Sequence, residues 1–194
     1  MGVVPPELQV LAAVEAAWTA AYGEAASRGS VSFVGVATID VLRFGLDSTG
    51  LVHYATLGMS RQPMGDPAAA AFDPTVGPRA ELCLALADRR DSVLRTLAVL
   101  ASAPAVEGLV LAPDGSVELG QPLWDGSEFT AVLVDEPVLP DVRTPDPTVT
   151  VRLLPVVPMT ATELAFRRVN GAAALRNAWR EAGTDLTAAS RRTG

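Results

Sequence analysis

The chain has 194 residues, 22 acids against 15 basic residues that are all arginine, and a net charge of −7. That balance argues against nucleic-acid binding, which draws its affinity from cationic contacts to phosphate, and suits a basic protein partner. Hydrophobic residues at 49% against 19% charged exclude a disordered chain. The length suits one domain over residues 1–194, with a core that needs no metal or disulfide staple.

The single cysteine, Cys83, rules out an intramolecular disulfide and agrees with a reducing compartment. Residues 1–9 lack the basic and apolar pattern of a signal peptide, and no apolar run approaches the ~20 residues of a membrane helix. The sequence therefore predicts a cytoplasmic protein with no membrane role.

Pro5, Pro6 and Glu7 make a helix start, since proline fits the first turn and an acid favours the positive end of the helix dipole. Leu8, Leu11, Ala12, Trp18 and Tyr22 recur at helical spacing, which predicts a first helix to about residue 27, within an amino-terminal unit of residues 1–29. Gly29 and Ser30 are read as its end. The core, residues 30–189, opens with β-type runs over 31–40 and 41–44, a turn at 47–50 (DSTG) and a strand over 51–57. Residues 61–79 contain Pro63, Pro67, Pro74 and Pro78 and form a loop longer than most connections, a candidate binding loop.

A strand is predicted over 80–87 and a helix over 88–102, stopped by Pro104. Residues 110–119 read as two extended pieces around the turn Pro113, Asp114, Gly115. Strands follow at 129–134 and 148–157, the latter ended by Pro158. Thr160 with Glu163 makes a capping box for a last helix to about residue 182, interrupted at Asn170 and Gly171. Residues 190–194 are predicted to fray. The order gives an α+β class, with a mixed, mainly antiparallel sheet flanked by helices.

Reactive groups are scarce. Glycine-rich phosphate loops and a nucleophile elbow are absent, and the one histidine, His53, and one cysteine make no zinc site of the usual kind. His53 and Cys83 form a conceivable pair on neighbouring strands, but Cys83 in AELCLALA reads as a small core residue. The acid pairs Asp125 with Glu128 and Asp135 with Glu136 read as solvated loop residues. The sequence calls for no cofactor and no metal, and predicts a non-enzymatic domain.

Four segments are similar to the suppressor-of-fused domain. They are YATLGMS (54–60), RAELCL (79–84), LPVVPMT (154–160) with Glu163 and Leu164, and the stretch from Asp185, Leu186 and Thr187 to Ser190, Arg191 and Arg192. Their order and spacing match over residues 30–192, with Met59 where leucine is usual. The first helix matches by position only. Read on their own, Gly58 supplies an unusual backbone angle, Pro155 and Pro158 end a strand, and Thr160 with Glu163 cap a helix.

The resemblance implies a protein-binding domain. Its animal relative is a two-domain regulator that restrains zinc-finger transcription factors, whereas this chain has the length of one domain. Single-domain bacterial members imply an immunity protein that binds and neutralises a toxin, and the acidic balance suits a basic one. The alternatives are a regulatory or scaffolding partner of an unrelated protein, and an enzyme using His53 and Cys83. Candidate partner-binding residues are Met64, Asp66, Phe72 and Asp73 on the long loop, and Trp124, Asp125 and Glu128 on the turn after Pro122. Trp124 reads either as an interface anchor or as a core residue capping one end of the sheet. A strand added at an exposed sheet edge is a further mode, with the edge unassigned.

Overall fold

The computed structural model describes residues 4–33, 35–65, 73 and 76–191. Helix α1 (Pro6–Tyr22) begins on Pro6 with Glu7 in its first turn, and ends at Gly23, whose φ of 81° breaks the helix. It stops five residues before the predicted end. The alanine and serine run that follows pairs instead as β1 (Ala25–Phe33) with β2 (Val36–Leu46), tertiary pairing overriding helix propensity. Gly35, at φ 79°, turns this hairpin, so β2 is one strand across the boundary expected at residue 40.

The turn before β3 (Val52–Leu57) is built on Asp47, whose carboxylate accepts from Thr49 N (2.7 Å), Thr49 Oγ1 (2.6 Å) and Leu51 N (3.0 Å). A single 3-10 turn (Met59–Arg61) then leads to the long loop, whose two ends are tied by Met64 N donating to Pro78 O at 2.8 Å. Strand β4 (Arg79–Leu86) and helix α2 (Val93–Glu107) follow. α2 starts later than expected and carries Pro104 inside its last turn. There the Pro104 carbonyl still accepts from Gly108 N, and Gly108, at φ 70°, closes the helix.

Of residues 110–119 only β5 (Ser116–Glu118) is a strand, paired with β6 (Phe129–Val134). After the two-residue β7 (Val142–Arg143), β8 (Thr150–Thr160) runs through both prolines expected to end it. The reason is a change of partner. Residues 151–155 pair with β4 in parallel, and residues 156–160 pair with β6 antiparallel. Pro155 falls at the hand-over, where a missing N–H costs least. Pro158 lies in the half whose only described strand neighbour is β6, which leaves one side of the strand without a ladder.

The capping box starts α3 (Ala161–Asn170): Glu163 N donates to Thr160 Oγ1 (3.2 Å) and Thr160 N donates to Glu163 Oε2 (2.7 Å). Gly171, at φ 88°, breaks the helix as expected before α4 (Ala172–Glu181). Among the described residues eight strands form one mixed sheet in the order β1-β2-β3-β4-β8-β6-β5, with β7 beside β8, and β4–β8 is the single parallel pairing. This is the expected α+β class. α2 covers one face through Leu97 and Leu100 over Ile39, Tyr54, Leu82 and Leu154. On the other face α1 sets Val14 and Trp18 over Leu42, Phe44 and Val151, while α3 and α4 set Leu164, Leu175 and Trp179 over Leu133 and Met159. Among the described residues no helix is long and apolar enough to cross a membrane.

Candidate functional site

Two of the four family-like segments, residues 54–60 and 79–84, meet at one buried carboxylate. β3 ends in Thr56 and Leu57, Gly58 turns the chain, and the 3-10 turn brings Ser60 back beside Glu81 on β4. Glu81 is fully buried, as are Thr56 and Ser60. Its Oε1 accepts from Gly58 N (2.8 Å), Ser60 N (2.9 Å) and Ser60 Oγ (2.6 Å), and its Oε2 accepts from Thr56 Oγ1 (2.6 Å). The Thr56 hydroxyl in turn accepts from Leu82 N at 2.8 Å. Gly58 sits at φ 140°, and a Cβ there would lie 2.9 Å from Thr38 O, so both backbone angle and space require glycine. Arg79 closes the turn by donating to Ser60 O (2.9 Å) and Arg61 O (2.5 Å). Four donors aimed at one buried carboxylate make it a strut that holds the turn against β4.

His53 and Cys83 share the α1 face of β3 and β4, in the pairs His53 with Ala85 and Ala55 with Cys83. His53 Nε2 lies 2.7 Å from Asp47 Oδ2, and its ring stacks on Tyr22 with centroids 4.1 Å apart. Hydrogen bonds from Thr49 first, then His53, hold the Asp47 carboxyl well below the usual carboxylate range. Cys83 is buried, and burial pushes its thiol up to about 12, the reverse of the depressed value that marks a nucleophilic cysteine. Tyr22, His53 and Cys83 line a small cavity of about 180 Å³ with Val138, Pro155 and Leu186. Among the described residues no group of three or more His, Cys, Asp or Glu side chains is placed to hold a metal ion.

The candidate partner-binding residues separate. Asp66 and Phe72 lie outside the described residues. Asp73 is exposed on the long loop, but Met64 is only 4% exposed and belongs to the core under α2. Trp124 is also 4% exposed, set edge-on to Phe129 at 5.4 Å, the core position that sequence left open for it. Neither Met64 nor Trp124 presents a surface to a partner. Asp125 and Glu128 are exposed on the same turn, Asp125 donating its N–H to Ser92 Oγ (3.0 Å) and Glu128 accepting from Arg191 N (2.8 Å).

That last contact holds Arg191, which lies within the stretch 190–194 expected to fray. Arg191 is 8% exposed, donates to Glu163 Oε1 at 3.0 Å and to Leu186 O at 3.2 Å, and lies over the rings of Phe129 (4.9 Å) and Trp179 (5.4 Å). The sequence showed an arginine near the terminus but not the aromatic pair that holds it; residues 192–194 lie outside the described part.

The family model of the suppressor of fused protein matches residues 35–192, spanning the Glu81 strut, the capping box and the Arg191 anchor. The chain belongs to the suppressor of fused family. Solved structures agree on the fold. A suppressor-of-fused homologue from Neisseria gonorrhoeae has a TM-score of 0.67 at 19% identity, covering 96% of this chain and 94% of that one. A chain of the Sufu–Fu complex has a TM-score of 0.67 at 15% identity, covering 98% and 92%. Drosophila Suppressor of Fused has a TM-score of 0.65 at 16% identity, covering 98% of this chain and 51% of its own length. The suppressor-of-fused domain here therefore spans about half of the Drosophila protein. No curated protein matches the sequence.

Proposed function

We propose that the chain is a non-enzymatic protein-binding domain of the immunity type, which binds a toxin and holds it inactive. The observation that carries this reading is where the fold spends its signature residues. Thr56, Gly58, Ser60 and Glu81 satisfy one another inside the protein, and the one thiol is held protonated by burial. What the family resemblance marks is a frame for a surface, in line with a fold neighbour whose structure is that of the Sufu–Fu complex. The net charge of −7 supports a basic partner, such as a nuclease domain, which long-range fields would steer toward it. The cytoplasm suits the unpaired, buried cysteine.

Affinity capture from the native host with the tagged chain, read by mass spectrometry, tests this. One stoichiometric basic partner encoded nearby is the expected result. A stoichiometric partner without toxicity replaces immunity with a regulatory or scaffolding role. The absence of any stoichiometric protein, with a small molecule co-purifying instead, overturns the binding reading.

A further inference from the structure

An edge strand carries a row of N–H and C=O groups that seek a partner, and proteins usually block such an edge with proline, lysine or a covering segment. The sheet ends in β5 on one side and β1 on the other. β5 is three residues long, and it is screened by Arg168 on Glu118 and by Arg167 on the Asp114 carbonyl. β1 is nine residues long, contains neither proline nor lysine, and pairs with β2 alone. Among the described residues, no backbone group of residues 25–33 has a hydrogen-bond partner beyond that pairing.

Small side chains leave this backbone accessible: Ala25, Ala26, Ser30 and Ser32 are exposed. The one charge on the strand, Arg28, is turned back onto its own fold, toward Glu15 of α1 and Asp40 of β2. Register irregularities at Ala25/Ser27 and Val31/Phe33 leave a regular ladder over residues 27–31, about 17 Å of strand.

We propose that β1 is the docking edge for an extended segment of a partner protein, added to the sheet as a ninth strand. The proposal rests on the protein-binding reading above and names its surface. The two faces of the edge set the pattern of the guest. On the α2 face Gly29 has no side chain and Leu94 lies beneath it, so an apolar guest residue packs there. On the α1 face Glu15 and Asp40 outnumber Arg28, and the exposed Glu24 precedes the strand, which favours polar and basic guest residues. The same charge argues against a second copy of this chain as the occupant, because pairing two β1 strands brings together two molecules of net charge −7.

The test uses the intact chain and a phage-displayed library of random 12-residue peptides, with selected peptides synthesised and titrated in solution. Gly29→Lys places a long cation across the ladder. Its Cβ would meet Leu94 Cδ1 at an ordinary 3.5 Å, so the fold should tolerate it. Ser32→Lys blocks from the other face at an exposed position, and Gly29→Ala is the control that leaves the edge open.

The expected result is a set of peptides alternating apolar with polar or basic residues, whose backbone-amide shifts centre on residues 25–33. Their affinity should fall at least tenfold in both lysine variants and hold in Gly29→Ala. Peptides that shift signals elsewhere, or that ignore both lysines, overturn the edge assignment while leaving the protein-binding reading intact. Failure to select any peptide, or a free chain that is already a dimer with β1 amides protected, overturns it as well. The binding reading itself falls only if affinity capture yields no stoichiometric protein.

Discussion

Replacing Glu81 with alanine should cost ~4 kcal/mol of folding stability or more, because burying a hydrogen-bonding group without a partner costs about 1–3 kcal/mol each. Four donors lose their acceptor at once: the N–H groups of Gly58 and Ser60 and the hydroxyls of Thr56 and Ser60. Thr56 and Ser60 are fully buried, so water has no ready access to replace it. Domains of this kind hold only about 5–15 kcal/mol in total, so the variant should unfold at much lower urea. Glu81→Gln should cost less, about 1–2 kcal/mol. Its carbonyl can keep the three bonds at Oε1, and its amide can donate to the Thr56 hydroxyl, which then turns toward Leu82 O, 3.5 Å away. Equilibrium urea unfolding of both variants checks the order. An alanine variant as stable as the parent chain would show that the strut is not what holds the turn.

The second large effect is expected at Arg191. Its side chain is 5% exposed and that of Glu163 is 16% exposed, so Arg191→Ala leaves a largely desolvated carboxylate without its cation. Removing one partner of a buried pair typically costs ~3–5 kcal/mol, and the lower end is expected here because Glu163 keeps bonds from Thr160 N and Trp179 Nε1. The substitution also removes the guanidinium from Phe129 and Trp179 and the bond to Leu186 O. Arg191→Lys should recover only part of the loss, since an ammonium cannot reach the carboxylate and the Leu186 carbonyl with a planar fork. Glu163→Gln preserves the capping box, because glutamine serves at that position too. A double-mutant cycle of Arg191→Ala with Glu163→Gln should therefore isolate a coupling of about 1–3 kcal/mol, and additive losses would refute the anchor.

Much of the frame was legible because it is written in local chemistry. Asp47 to Gly50, the Thr160–Glu163 capping box and the break at Gly171 depend on residues within a few positions of each other, and the structure has each where the sequence put it. The misreadings arise where distant pairing decides. Residues 25–29 have helical composition, but Ser27, Arg28 and Gly29 face Arg43, Leu42 and Val41 across a strand. β8 carries two prolines, yet continues because it changes partners at Pro155. The four family segments could be matched in order. That two of them fold onto one carboxylate, and the other two meet as Glu163 and Arg191, follows from a topology that no single segment encodes. The surface was the least legible part. Trp124 read either as an anchor beside two acids or as core, and it is core, whereas the alanines and serines of β1 read as the end of a helix and form an edge strand.

The central claim is that the chain acts by binding, with no chemistry of its own. The most direct measurement is a growth-rescue assay, in which the captured partner is expressed with this chain or with a His53→Phe, Cys83→Ala variant. Phenylalanine retains a ring to stack on Tyr22, and alanine suits the buried site of Cys83, so the fold should survive. The account predicts that the partner alone stops growth, and that the parent chain and the double variant restore it equally. Loss of rescue in a folded double variant that still binds the partner would contradict it and return function to His53 and Cys83.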